Sequence, residues 1–182
     1  MSINVVQYNI LCPKLATSKT FNQTEKQYLD PEYRFAKIWE KLLNFISEDS
    51  IICLQEIPES WVGKLHDKFS EVGYHMFYSL YGDLYNDCMG VGICYPGHKY
   101  QSSCSKIVNI GQELPKEDVK KSNVVTKFLC WVSKSFDKWY QGDTSLSYAK
   151  KKRNRMLLMK FINKETHEKF SIATYHMPSA FK

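Results

Sequence analysis

Two polar residues close two apolar runs, and their types suit a divalent-metal site. Asn9 ends the run Asn4 to Tyr8, and Glu56 ends Ile51-Ile52-Cys53-Leu54-Gln55. An acid and an amide at the C-terminal rim of a sheet offer the oxygen ligands that Mg²⁺ takes, while leaving room for the waters it keeps. The chemistry such an ion supports is hydrolysis of phosphate esters, by polarising a phosphoryl oxygen. Each residue alone has a plainer reading. A Glu two residues before Pro58 can cap the helix that the proline opens, and an Asn after a strand often serves a turn. The matched placement of the pair is what favours a metal.

Periodicity indicates the elements that hold these residues. Ile3 to Asn9 and Ile51 to Glu56 read as strands. Between them, residues 32 to 48 place Phe35, Ile38, Trp39, Leu42, Leu43 and Ile46 at helical spacing, with Asp30 as cap and Pro31 as start signal. A second helix opens at Pro58-Glu59-Ser60, carries Trp61, Leu65 and Phe69 on one face, and ends near Gly73. Tyr74 to Tyr81 and Met89 to Tyr95 read as strands, the latter closed by Pro96-Gly97. Met156 to Ile162 and Lys169 to His176 flank the turn-like residues 163 to 168 and predict a β-hairpin. Both arms carry apolar residues on successive positions, as strands covered on two faces do. The pattern as a whole predicts an α/β fold.

Residues 97 to 150 resist assignment. Val124 to Trp131 fits a strand or a helix, and Ser133 to Gln141 fits a short helix or an ordered loop. Aromatics there interleave with Lys127, Lys134 and Lys138, which suits a base-stacking platform but is favoured here as ordinary core.

A chain of 182 residues, 43% hydrophobic and 24% charged, has the composition and length of one globular domain. No apolar stretch approaches the roughly 20 residues a membrane span needs. The N-terminus lacks the basic leader and cleavage site of a signal peptide. The expected location is intracellular, cytoplasmic or nuclear. The 6 cysteines show neither CxxC pairing nor zinc-ligand spacing and are expected to be reduced thiols. Charge is uneven: residues 1 to 96 hold 8 Lys/Arg against 12 Asp/Glu, whereas residues 97 to 182 hold 17 against 7. The later part is therefore the expected anion-facing part. Its densest run, Lys150-Lys151-Lys152-Arg153-Asn154-Arg155, reads as a solvated loop, a nuclear-import signal or a phosphate contact.

Five segments taken in order carry a family resemblance: Val5-Val6-Gln7-Tyr8-Asn9-Ile10-Leu11, Cys53-Leu54-Gln55-Glu56, Gly90-Val91-Gly92-Ile93, Asn154-Arg155-Met156-Leu157 and Ala173-Thr174-Tyr175-His176-Met177-Pro178. They resemble the endonuclease/exonuclease/phosphatase superfamily, the deoxyribonuclease I-like fold. The opening is most similar to its nocturnin-like and poly(A)-removing exonucleases. The resemblance implies a four-layer α/β/β/α sandwich, of which residues 1 to 182 form the N-terminal half to two thirds. It implies that Glu56 is the main protein ligand of a catalytic Mg²⁺, with Mn²⁺ as a substitute, and that Asn9 helps fix the metal's shell. It further implies that His176 contacts the scissile phosphate, although a lone His at a strand end is more often structural. Arg153, Asn154 and Arg155 are implied contacts to the substrate backbone.

The family's Gly-Asp-x-Asn and Ser-Asp-His segments, which act on the nucleophile and the attacking water, occur nowhere in these residues. The reading that follows is a Mg²⁺-dependent phosphodiesterase, a nuclease acting on RNA or DNA, incomplete and inactive as this stretch alone. A phosphatase acting on inositol phosphates or lipid headgroups and a non-catalytic nucleic-acid-binding pseudoenzyme are the alternatives. In this fold each half of the domain is expected to build mostly one sheet. A lone half is then expected to leave an apolar sheet face for a missing half or another chain to cover.

Overall fold

The first strand, β1 (Val5–Asn9), and the helix after it are separated by a cap that the local sequence dictates. The Asp30 carboxylate accepts a hydrogen bond from Tyr33 N at 2.8 Å, Pro31 takes the first helical position, and α1 runs Pro31–Ser47. The computed structural model describes residues 2–113 and 152–177. Strand β2 (Ile51–Ile57) follows, then α2 (Glu59–Glu71), β3 (Tyr74–Leu80) and β4 (Gly90–Pro96). Gly73, at φ +73°, makes the left-handed turn from α2 into β3 that a side chain disfavours. The remaining strands are β5 (Tyr100–Asn109), β6 (Arg155–Asn163) and β7 (Lys169–Tyr175).

The strands form two sheets, ordered β1-β2-β4-β3 and β5-β6-β7. Strands β1 and β2 pair in parallel, which sets Asn9 beside Gln55 and makes Glu56 the next residue beyond that pair. Every residue of β2 is buried because the strand is covered on both faces. Ile52 and Leu54 pack with Phe35, Leu42, Leu65 and Phe69 of the helices, whereas Ile51 and Cys53 pack with Val91, Ile93, Leu157 and Phe161 between the sheets. An edge-to-face contact between Tyr95 and Phe161, centroids 4.9 Å apart, ties β4 to β6. Helices, first sheet and second sheet supply three layers of the expected α/β/β/α sandwich among the described residues.

Strand β5 was not predicted. Its sequence is polar, and only Tyr100 and Val108 are buried, so no alternation marks it. Backbone pairing with β6, through a register shift between Ser102 and Cys104, is what makes it a strand. The distribution of sheets also differs from expectation. Strands β1 to β4 build one sheet and β5 to β7 the other, so both come from this stretch rather than mostly one. The inner face of the first sheet is thereby covered along β2 and β4. Cover thins toward edge strand β1, where Val5, in register with buried Ile51, is 48% exposed.

The segments Val124 to Trp131 and Ser133 to Gln141 lie outside the described residues. Among the described residues, Cys12, Cys53, Cys94, Cys88 and Cys104 are free thiols, the first three buried. No helix among those residues is long and apolar enough to cross a membrane.

Candidate active site

Glu56 sits in a β-bulge. The β2–β4 register shifts between Gln55 and Ile57, and Glu56 adopts φ +58°, a conformation non-glycine residues rarely take. The bulge turns the carboxylate off the sheet toward the end of β1. Oε1 accepts from Asn9 Nδ2 at 2.7 Å and Oε2 accepts from Cys12 N at 3.2 Å. The helix-cap reading of Glu56 is excluded by this geometry: the residue before α2 is Pro58, and α2 has no side-chain cap.

Asn9 reaches the carboxylate because β1 and β2 run parallel and in register. Its Oδ1 accepts from Leu11 N at 2.8 Å, an unambiguous donor that fixes which end of the amide is oxygen. The amide nitrogen therefore faces Glu56. Asn9 thus meets Glu56 through its amide nitrogen and holds the carboxylate in place. From α1, Arg34 Nη2 donates to the carbonyls of Ile10 and Leu11 at 2.9 and 2.7 Å and secures the segment that presents Asn9 and Cys12.

His176 arrives from the other sheet, just past β7. Its Nε2 stands 3.4 Å from Glu56 Oε1, and its Nδ1 is 2.9 Å from the Tyr81 hydroxyl. A hydrogen bond from Gln55 Nε2 to Thr174 Oγ1, 3.0 Å, joins the two sheets two residues earlier. Asn154 Nδ2 donates to the His176 carbonyl at 2.9 Å. Burial lowers the His176 pKa, an effect the Glu56 charge opposes. Burial, reinforced by the same charge, raises the Tyr81 phenol, so Tyr81 keeps its proton at neutral pH. The Glu56 carboxylate beside Nε2 can only accept, which favours the imidazole proton on Nε2 and leaves Nδ1 to accept from the Tyr81 hydroxyl.

The predicted basic contacts separate from one another. Arg155 turns inward, its Nη1 donating to Ser79 Oγ at 3.2 Å and Leu80 O at 3.0 Å, where it binds the end of β3. Arg153 lies on the surface, paired with Asp83 at 2.7 Å. Asn154 alone of the three joins the His176 cluster. Sequence reasoning missed Tyr81, Arg34 and the Cys12 amide. The last acts through its backbone and has no sequence signal, whereas Tyr81 is one tyrosine among several in and around β3.

Among the described residues, no group of three His, Cys, Asp or Glu side chains is arranged to hold a metal ion. A lone carboxylate does not suit zinc, which takes three or four protein ligands. It does suit Mg²⁺, which is often held by one or two carboxylates plus waters and substrate phosphate. The donor set among the described residues is compatible with Mg²⁺, which Glu56 would hold.

No family model matches the chain. Over 56 residues, 31% of the chain and 6% of the relative, it is 41% identical to the CCR4-Not complex 3′-5′-exoribonuclease subunit Ccr4 of Candida glabrata. Among solved structures, it superposes with TM-score 0.65 on ANGEL2, a 2′,3′-cyclic phosphatase, in complex with adenosine-2′,3′-vanadate. That match is 18% identical and covers 95% of this chain and 41% of ANGEL2. It superposes with TM-score 0.63 on the human Nocturnin catalytic domain with bound sulfate, at 17% identity, covering 97% of this chain and 50% of that one. The chain thus spans half or less of the length of the solved proteins it matches, and at such identities the likeness is one of fold. The chain thus shares its fold with ANGEL2 and the Nocturnin catalytic domain, as the resemblance of its sequence implied.

Proposed function

We propose that this chain supplies the metal-binding part of a Mg²⁺-dependent hydrolase of phosphate esters in nucleic acid. The observation that carries the reading is the convergence of Glu56, Asn9 and His176 from three strands of two sheets on one point. Glu56 would hold the Mg²⁺, which when bound would supply Lewis-acid activation of a phosphoryl oxygen. Asn9 and the Cys12 amide hold the carboxylate and limit its rotation. His176, neutral and protonated on Nε2, donates to a phosphate oxygen as negative charge develops there, and Tyr81 keeps it in that tautomer. No residue of the chain matches the water-activating segments of the resembled family, so the 182 residues alone bind the ion without turnover.

The residues shared with Ccr4, an exoribonuclease by name, favour RNA over DNA. ANGEL2's description as a 2′,3′-cyclic phosphatase supports a second reading, hydrolysis of a terminal cyclic phosphate rather than an internal diester.

The test is Mn²⁺ binding to the full chain, followed by electron paramagnetic resonance of the free ion. Glu56→Gln keeps the shape and removes the charge, and it is expected to abolish binding. If wild type and variant take up Mn²⁺ equally, the reading fails. An assay of a longer form on oligo(A) against oligo(A) ending in a 2′,3′-cyclic phosphate separates the two substrates.

A further inference from the structure

The loop between β3 and β4, residues 81 to 89, presents the two most exposed large apolar side chains of the described residues. Leu84 is 80% and Tyr85 72% exposed, while the next, Met177, is 51%. The loop is pinned by hydrogen bonds of its own. Asn86 is buried, and its Oδ1 accepts from Asp83 N at 2.8 Å. Cys88 N donates to Asp83 O at 2.9 Å, and Gly82 N to Met89 O at 2.9 Å. A Cβ at Gly82 would lie 2.3 Å from Asn86 Oδ1, so the turn admits only glycine. The apolar tip is therefore displayed by construction.

The loop is tied to the candidate active site at its start and at its middle. Tyr81 opens it and holds His176. Cys12, whose backbone N–H binds Glu56, gives its thiol to Asn86 O at 3.2 Å. Cations flank the tip. Lys14 Nζ donates to Leu84 O at 2.9 Å, and Arg153 reaches Asp83 at 2.7 Å, both at exposed positions. The acids nearby are engaged: Asp83 with Arg153, and Asp87 with Ser60 and at 3.8 Å with Lys14.

From this arrangement we propose that Leu84 and Tyr85 form a stacking platform for the bases of single-stranded nucleic acid entering the site, with Lys14 and Arg153 along its phosphates. An exposed aromatic between cations is how proteins hold unpaired strands without reading sequence. The inference rests on the reading of the Glu56–His176 site for its substrate class, yet its test needs neither metal nor turnover.

Binding of fluorescein-labelled short oligo(A) and oligo(U) to the full chain is measured by anisotropy in EDTA. Tyr85→Ala is expected to weaken binding about 5- to 150-fold, the range that stacking on one base supplies, with Tyr85→Trp close to wild type. Lys14→Gln and Arg153→Gln are each expected to flatten the salt dependence by about 0.7 in log–log slope. Thermal melting of each variant keeps folding separate from binding; both tip side chains are exposed, so no loss of stability is expected. Wild-type affinity in Tyr85→Ala overturns the proposal. So does the absence of oligonucleotide binding, equal binding of duplex, or a Tyr85 dependence found only on anionic vesicles. No Mn²⁺ uptake by the wild type, with intact, Tyr85-dependent oligonucleotide binding, sinks the catalytic reading alone. The reverse result sinks the stacking platform alone.

Discussion

Replacing Asn9 by Asp tests the site at its centre, because it changes one donor into one charge. In the wild type, Asn9 Nδ2 donates to Glu56 Oε1 at 2.7 Å, a hydrogen bond to a charged group contributing roughly 1.5–3 kcal/mol. Asn9→Asp keeps Oδ1 for the Leu11 amide and places a second carboxylate oxygen where the donor stood. Two unit charges at that separation repel by about 6 kcal/mol at an effective dielectric near 20. The pair escapes part of this by retaining one proton, as close carboxylates do. Holding that proton at pH 7, about three units above an ordinary carboxyl pKa, costs about 4 kcal/mol and sets the ceiling. Asn9 is solvent-exposed on its outer side, so screening brings the expected loss to roughly 2 kcal/mol.

The sign is fixed. The introduced carboxyl has a folded pKa above its unfolded one, so the penalty is absent below about pH 4 and grows as pH rises toward the folded value. A divalent cation between the two carboxylates removes the repulsion and is expected to restore stability at pH 8. Urea unfolding at pH 4.5 and pH 8, with and without millimolar Mg²⁺, reads all of this. Equal stability of variant and wild type at both pH values refutes the pairing of residues 9 and 56. A deficit at pH 8 that Mg²⁺ leaves untouched refutes a cation at Glu56.

Two further predictions concern His176. Tyr81→Phe removes the donor at Nδ1, lowers stability by about 1 kcal/mol, and lets the imidazole proton redistribute between nitrogens; unchanged ring ¹⁵N shifts would contradict the assigned tautomer. Because burial holds the folded His176 pKa below its unfolded value, stability is lost as pH falls from about 6.5 toward that lower value. His176→Gln is expected to abolish that acid-side slope in urea titrations, and a slope that persists assigns it to another group.

Much of the fold was legible because burial leaves a periodic signature. The spacing of Phe35, Ile38 and Leu42 predicts α1 within a residue or two of its limits, and Asp30 and Pro31 mark its start. The unbroken apolar run of β2 reports a strand covered on two faces. Strand β5 left no such trace, since it is held by backbone pairs along a polar sequence. The loop at Leu84–Tyr85 was equally silent, because what pins it is a buried Asn86 and a thiol contact from Cys12, 74 positions away.

The residue types at positions 9, 56 and 176, each closing an apolar stretch, were legible in the sequence, because the apolar runs of buried strands stand out against the polar residues that end them. What those side chains touch was decided only by tertiary structure. Parallel pairing of β1 with β2 sets Asn9 beside the bulge at Glu56, and the packing of one sheet on the other brings His176 to the same oxygen. Linear order carries no record of such contacts, because register, bulge and sheet stacking arise from the joint burial of strands distant along the chain.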